Sequence, residues 1–391
     1  MKAKTSVKVS GWIGQMSLGL VIQLLVWTAA QAQQKDNMVF NLLIGTYTSP
    51  GKSEGIYVYR FDTETGAATY HSKAAGIANP SYLAVTGNEK FVYSVSEEGK
   101  GKGSISAFSF DALAGKLEPL NSVSSGGDGP CYVSVTDKNS YVFSGNYSGG
   151  SLSAIPVNSD GSLNANAQVI QHETVTDSKN KKQQPHVHAT VLSPDNRFLY
   201  TPDLGLDKIF IYRFNADQSK PLTPAVPAFV KLKAGSGPRH LTFHPNGKYA
   251  YLIQELGCLI TAFDYKNGNL VAKQTVNILP AGYKGPMEAA DIHVSPDGKF
   301  LYGSNREDVN EIVIYAIGND GKLTFAGRQS TLGKAPRNFV IDPTGNYLLA
   351  ANQNTDNIIV FKRDKKTGLL TNTNKTIALG MPVCLKFAAI K

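Results

Sequence analysis

The most constraining feature of this 391-residue chain is a hairpin that recurs about every fifty residues. Its clearest copy runs from Gly237 to Glu255. Leu241 to Phe243 and Tyr249 to Ile253 are aliphatic, β-branched and aromatic, and His244-Pro245-Asn246-Gly247 supplies a tight turn between them. Turn positions Asn196, Gly247, Gly298 and Gly345 are spaced 51, 51 and 47 apart. Further copies begin at Asn79, Gly129, His186, Ala289 and Ala335. After each hairpin come a third strand, such as Lys208 to Phe214, and a turn such as Asp320-Gly321 or Thr367-Gly368 before an outer strand. One more copy, from Gly380, has a first strand and no second; the missing strands lie at the other terminus, Asn41 to Tyr47 and Gly55 to Phe61. Four short strands per unit at this period predict an all-β fold, a seven-bladed β-propeller of four-stranded antiparallel blades. The ring is closed by pairing of the N- and C-terminal segments, which removes a free strand edge. A flat β-sandwich explains neither the period nor the half-unit at each end.

The first thirty-odd residues stand outside the repeat. Lys2, Lys4 and Lys8 precede an apolar run from Met16 to Trp27, and Ala30-Gln31-Ala32 offers small residues for a signal peptidase. Residues 1–32 are therefore expected to be a signal peptide and 33–391 a single propeller domain, exported to the periplasm or secreted. The apolar run is short for a membrane span and is interrupted by Gln23, so no membrane attachment is expected after cleavage. The chain has 39 Lys and Arg against 30 Asp and Glu; losing three lysines leaves 36 − 30 = +6. That charge forms no stripe, which argues against a nucleic-acid partner. Cys131, Cys258 and Cys384 are odd in number and lack CxxC spacing, so they read as small buried side chains and not as a disulfide framework or zinc site. The polar stretch Gln171 to Gln184 reads as a surface loop, and the protein as a monomer.

The repeat aligns single positions as well as strands. One position at the start of the first strand reads Ser81, Cys131, His188, Arg239, Ala290 and Arg337; a second, beyond the second strand, reads Glu97, Tyr147, Leu204, Glu255, Arg306 and Gln353. Both lie at the hairpin ends opposite the turn, so both ring one mouth of the central channel. Scaffold positions in a repeat look alike, whereas these differ, which suggests a ligand of particular shape. Glu255 or His188 is a competent acceptor for the proton of a water molecule. Arg239 or Arg306 is suited to stabilising an oxyanion or gripping an anionic group. Each also has a plain structural reading: an ion pair for Arg239 and Glu255, struts for Arg306 and Arg337, a turn for Asp203. Asp291 and His293 share a strand face and read as a buried hydrogen-bonded pair, not a metal site. No Gly-x-Ser-x-Gly string is present, which argues against an α/β-hydrolase nucleophile.

Several strings together, His186-Val187-His188, Pro202-Asp203-Leu204-Gly205, Gly237-Pro238-Arg239-His240, Gln254-Glu255-Leu256, Ser304-Asn305-Arg306, Ala335-Pro336-Arg337-Asn338-Phe339 and Ala351-Asn352-Gln353, resemble the seven-bladed lactonase family. That family includes propeller-type 6-phosphogluconolactonases and carboxy-muconate cyclases, and the likeness spans roughly residues 39–390. The resemblance implies a hydrolase acting on a small lactone, sugar-derived or otherwise acidic, at one mouth of the channel. It implies His188, Arg239, Glu255 and Arg306 as catalytic residues, with His188 preferred over His186 because the repeat places it level with Arg239. Arg337, Asp203, His186 and Gln353 are the accompanying substrate-binding candidates, with no metal and no cofactor. Two other readings remain open: a cycloisomerase, and a propeller that binds protein or glycan without catalysis.

Overall fold

Two strands from opposite ends of the chain, Val39–Thr46 and Pro382–Ala389, pair antiparallel from Phe40 opposite Ala389 to Thr46 opposite Pro382. The computed structural model describes residues 1–4, 39–49, 51–176 and 182–390, so the expected signal peptide lies, past its first four residues, outside the described part. Seven four-stranded antiparallel sheets form the blades. In chain order the first combines residues 39–75 with 382–389. The others span 83–124, 130–171, 191–231, 238–277, 289–330 and 336–378. The terminal pairing completes the first blade as the repeat predicts.

Burial explains why the strands differ in composition. Second strands such as Tyr249–Gln254 and Phe300–Asn305 are covered on both faces by neighbouring blades and read as near-continuous apolar runs. Outer strands such as Ala68–Ala75 and Lys116–Ser124 alternate between exposed and half-buried residues, as expected where one face meets water. The three cysteines are free and buried.

Adjacent blades are tied by a repeated contact. The Tyr93, Tyr200, Tyr251 and Tyr302 hydroxyls each donate to the carbonyl of a turn glycine in the following blade, Gly161, Gly268, Gly321 and Gly368, at 2.7–3.0 Å. The equivalent residue of the seventh blade is Leu349, and there Tyr347, two residues earlier, donates instead to the Glu64 carbonyl of the first blade at 2.8 Å. These glycines have φ between 75° and 87°. A Cβ on Gly268 would also lie 2.5 Å from the Phe198 ring of the preceding blade. Glycine is thus required twice over, by backbone conformation and by space.

Two segments differ from their expected form. The inner strand of the fourth blade, anticipated over His186 to Val191, is regular only at Val191–Leu192, with an isolated bridge between Val187 and Asp203. Pro202 occupies the facing strand and has no N–H to give to the ladder. Within the polar stretch read as a loop, two described segments are regular: Val175–Thr176 pairs with Lys182–Gln183 as a short ribbon. At its base His172 is buried, donating from Nδ1 to Asp203 (2.6 Å) and accepting at Nε2 from the Tyr212 hydroxyl (2.9 Å).

The blade-to-blade contacts predict that Gly268→Ala destabilises the fold by about 2 kcal/mol or more, through strain at positive φ and the clash with Phe198. Tyr251→Phe removes one buried hydrogen bond and is expected to cost about 1–2 kcal/mol. Denaturant melts of the two variants check both values.

Candidate active site

The mouth residues owe their orientation to a bulge repeated in the inner strands. In the fifth blade Pro238 pairs with Gln254 and His240 with Ile253, so Arg239 is the extra residue. The same shift isolates Cys131 in the third blade and Arg337 in the seventh. In the sixth, Ala290 and Asp291 together oppose Ser304. Neighbouring side chains on a regular strand point to opposite faces, and a bulge breaks that alternation. Arg239 and His240 consequently stay together, with Nη1 3.3–3.4 Å from the imidazole nitrogens.

Glu255, just past the second strand of the fifth blade, is the centre of the cluster. Its Oε2 lies 2.7 Å from Arg239 Nε and 3.8 Å from His188 Nε2, and its Oε1 lies 3.2 Å from Arg306 Nη2. Three adjacent blades therefore deliver one histidine, two arginines and one carboxylate to a single point. Arg239 is anchored from behind, where Nη1 donates to the Ala290 carbonyl at 2.7 Å. Its Nε–H is not aimed along the axis to Glu255, so that contact is an ion pair and not a directional hydrogen bond. Among the described residues Arg306 Nε is buried without a hydrogen-bond partner, and the ion pair of Arg239 Nε with Glu255 Oε2 leaves both atoms without an aligned hydrogen bond. Buried polar atoms are rarely left so, which gives this point spare hydrogen-bonding capacity.

A second carboxylate faces the same opening. Glu97 accepts from the Tyr47 hydroxyl at 2.8 Å and from Ser81, and the Arg337 guanidinium lies 5.5 Å over the Tyr47 ring. Below the mouth is a further polar layer. The buried carboxylate of Asp291 accepts from His240 Nδ1 at 2.8 Å, His293 Nε2 at 2.9 Å and Asn338, while Tyr82 and Tyr132 stack at 4.1 Å beside His240. His240 and His293 thus both direct N–H groups at Asp291; among the described residues no cluster of His, Cys, Asp or Glu is placed to hold a metal ion.

The environment sets protonation. Burial, reinforced by Arg239, His240 and Arg337, holds His188 well below the usual histidine range, so it is neutral at pH 7. Burial and Arg239 push His240 down to about 3. Arg306 is lowered to about 10 by burial and then by Arg239, and it stays charged at neutral pH. For Arg337 burial acts downward, but Tyr47, Glu97 and Glu255 outweigh it and the pKa rises.

The structure brings His188, Arg239, Glu255 and Arg306 together, with Arg337 on the Glu97 side of the same mouth. It places the remaining candidates differently. Asp203 is fully buried, and its carboxylate accepts from His172 and from the backbone N–H groups of His186, Gly205 and Leu206. It belongs to a scaffold series one residue before the mouth position: Asn146, Asn305 and Asn352 in other blades each donate to a backbone carbonyl near the end of the outer strand. That series was legible in the repeat, and it makes Asp203 a support and not a substrate contact. His186 stacks on Tyr147 at 4.6 Å and donates from Nδ1 to its carbonyl. Gln353 is half-buried and opens the short helical turn Gln353–Thr355. Sequence reasoning missed Glu97 and Tyr47 as site residues, although Glu97 stands in the second mouth series and Tyr47 ends the strand that closes the ring. His240 was hidden because only the bulge turns it toward the channel.

The fold is thus a seven-bladed propeller with a charged, arginine-rich cluster at one mouth. The model of the lactonase family with a seven-bladed β-propeller matches residues 41–387, and the chain belongs to that family. It is 37% identical over 347 residues to a 6-phosphogluconolactonase of Bacillus subtilis, covering 88% of this chain and 97% of that protein. A 6-phosphogluconolactonase of Formosa agariphila is also 37% identical, over 84% of this chain and 94% of its own length. The solved structure of a periplasmic gluconolactonase from Pseudomonas aeruginosa matches with a TM-score of 0.84 and 39% identity, covering 90% of this chain and all of the other. Among the described residues no helix is long and apolar enough to cross a membrane.

Two measurements follow. Asp203→Ala is expected to cost about 2–4 kcal/mol in a denaturant melt, because it strips partners from His172 and three backbone N–H groups at once. Stability is expected to fall with pH from about 6.5 toward 3. In that window the unfolded chain protonates histidines that the fold keeps neutral, so it binds more protons than the native state. Replacing His240 by Asn should flatten that slope.

Proposed function

We propose that this protein is an exported lactonase that opens a sugar-derived lactone at the mouth ringed by His188, Arg239, Glu255 and Arg306. The observation that carries the reading is the alignment of Arg239, Glu255 and Arg306 in one ion-paired row, with a neutral histidine beside the carboxylate. A water molecule held against His188 attacks the lactone carbonyl carbon. Its proton passes to the neutral imidazole, and Glu255 at 3.8 Å stabilises the imidazolium that forms. The carbonyl oxygen becomes the oxyanion and is met by Arg306 and Arg239 in a site where burial strengthens every charge interaction. The carbon to ring-oxygen bond then breaks, His188 returns its proton to the leaving oxygen, and a hydroxy acid departs. Export is supported by the basic, apolar and small-residue pattern of residues 1–32, and a periplasmic setting favours a lactone without phosphate.

The test is the mature protein, residues 33–391, against glucono-δ-lactone, 6-phosphogluconolactone and a uronic-acid lactone, with products followed by NMR. Hydrolysis well above the spontaneous rate is expected for at least one, falling about 10²–10³-fold in Arg239→Ala and Glu255→Gln. The kcat/KM profile should be flat through pH 6.5 and decline only at lower pH, where His188 becomes protonated. Spontaneous rates throughout would overturn the proposal, and equal rates for wild type and Arg239→Ala would remove that arginine from the mechanism. An isomer in place of a hydrolysis product would identify a cycloisomerase.

A further inference from the structure

Arg306 is approached from two sides. On the inner side is Glu255; on the outer side Glu288 places Oε1 3.1 Å from the same Nη2, which also donates to the Ala289 carbonyl at 3.3 Å. Nη2 is therefore crowded by acceptors while Nε has none. Glu288 is the most open of these charged groups, with 30% of its side chain exposed against 12% for Glu255 and 7% for Arg306. Its position is fixed by the backbone, since the Arg306 N–H donates to the Glu288 carbonyl at 2.8 Å. The rim beyond it is acidic as well. Glu307 and Asp308 follow Arg306 and line a groove with Asn310 and Lys334, and burial and then the neighbouring Glu307 raise the Glu288 carboxyl.

At the mouth Arg239 and Arg306 share Glu255, Arg306 also pairs with Glu288, Arg337 lies on the Glu97 side, and His188 is neutral. A substrate anion entering along the rim would have to displace or lie against Glu288 to reach Arg306. We infer that Glu288 is a specificity-determining residue, which occupies the outer face of Arg306 and turns the site toward uncharged polyhydroxy lactones and away from those carrying a phosphate or carboxylate at the far end. This rests on the lactonase reading of the site. A negative element of this kind sets selectivity by penalising the wrong ligand, with no added contact to the right one.

The experiment compares wild type, Glu288→Gln and the charge-conserving Glu288→Asp. One measurement is the ratio of kcat/KM for 6-phosphogluconolactone to that for glucono-δ-lactone. The other is calorimetric binding of 6-phosphogluconate and gluconate, which differ by the phosphate and need no turnover. Glu288→Gln is expected to raise the preference for the phosphorylated member about tenfold in either measurement, the size of one screened like-charge interaction near a protein surface. Glu288→Asp should keep the wild-type ratio. An unchanged binding ratio in Glu288→Gln, or an equal shift in both variants, overturns the inference. Absence of turnover in wild type with a shifted binding ratio would overturn the lactonase reading and leave the charge discrimination standing.

Discussion

The pairing of Val39–Thr46 with Pro382–Ala389 is the constraint on which the remaining structure depends. A propeller blade buries its second strand only if it has a neighbour on each side, and a ring offers that to every blade only when it closes. Here closure is made by backbone hydrogen bonds between segments more than three hundred residues apart, so the loop entropy of joining the chain ends is met once, by a complete ladder. The tyrosine-to-glycine contacts then repeat the tie from blade to blade, each satisfying a buried carbonyl.

Closure also creates the site. Residues far apart in the chain, from Tyr47 to Arg337, face one opening because each hairpin delivers its ends to the same radius of the ring. The bulge at Cys131, Arg239 and Arg337 adds the second ingredient. It allows the mouth position to turn upward while the next residue faces the channel, so a layer containing Arg239 sits above a layer containing His240. The lower layer is held by Asp291, which gathers two histidines and an asparagine. The upper layer combines cations and carboxylates so closely that burial keeps the intervening histidine neutral. A neutral imidazole, a carboxylate and two guanidinium groups thereby coexist within a few ångströms.

Not every polar position at the mouth serves the opening. Asp203 shows how a repeat misleads when one position is read without its neighbours. It stands in a conspicuous Pro-Asp-Leu-Gly string, yet its counterparts in three other blades, Asn146, Asn305 and Asn352, are asparagines that satisfy backbone carbonyls. The aspartate instead anchors His172 and the turn after it, at the base of the polar insertion.

What the amino-acid order determined by itself was the ring: turn glycines near fifty-residue spacing, aromatic second strands and a divided unit at the two ends admit few other architectures. It also located His188, Arg239, Glu255 and Arg306 at equivalent hairpin ends, because strand register is counted along the chain. Only the tertiary structure decided which of these touch, that Glu97 and Tyr47 share the opening, that His240 turns inward and that Glu288 lies across Arg306. The reason is geometric. Register says which end of a blade a residue occupies, whereas the direction of a side chain depends on a bulge in the backbone and on what the adjoining blade places against it.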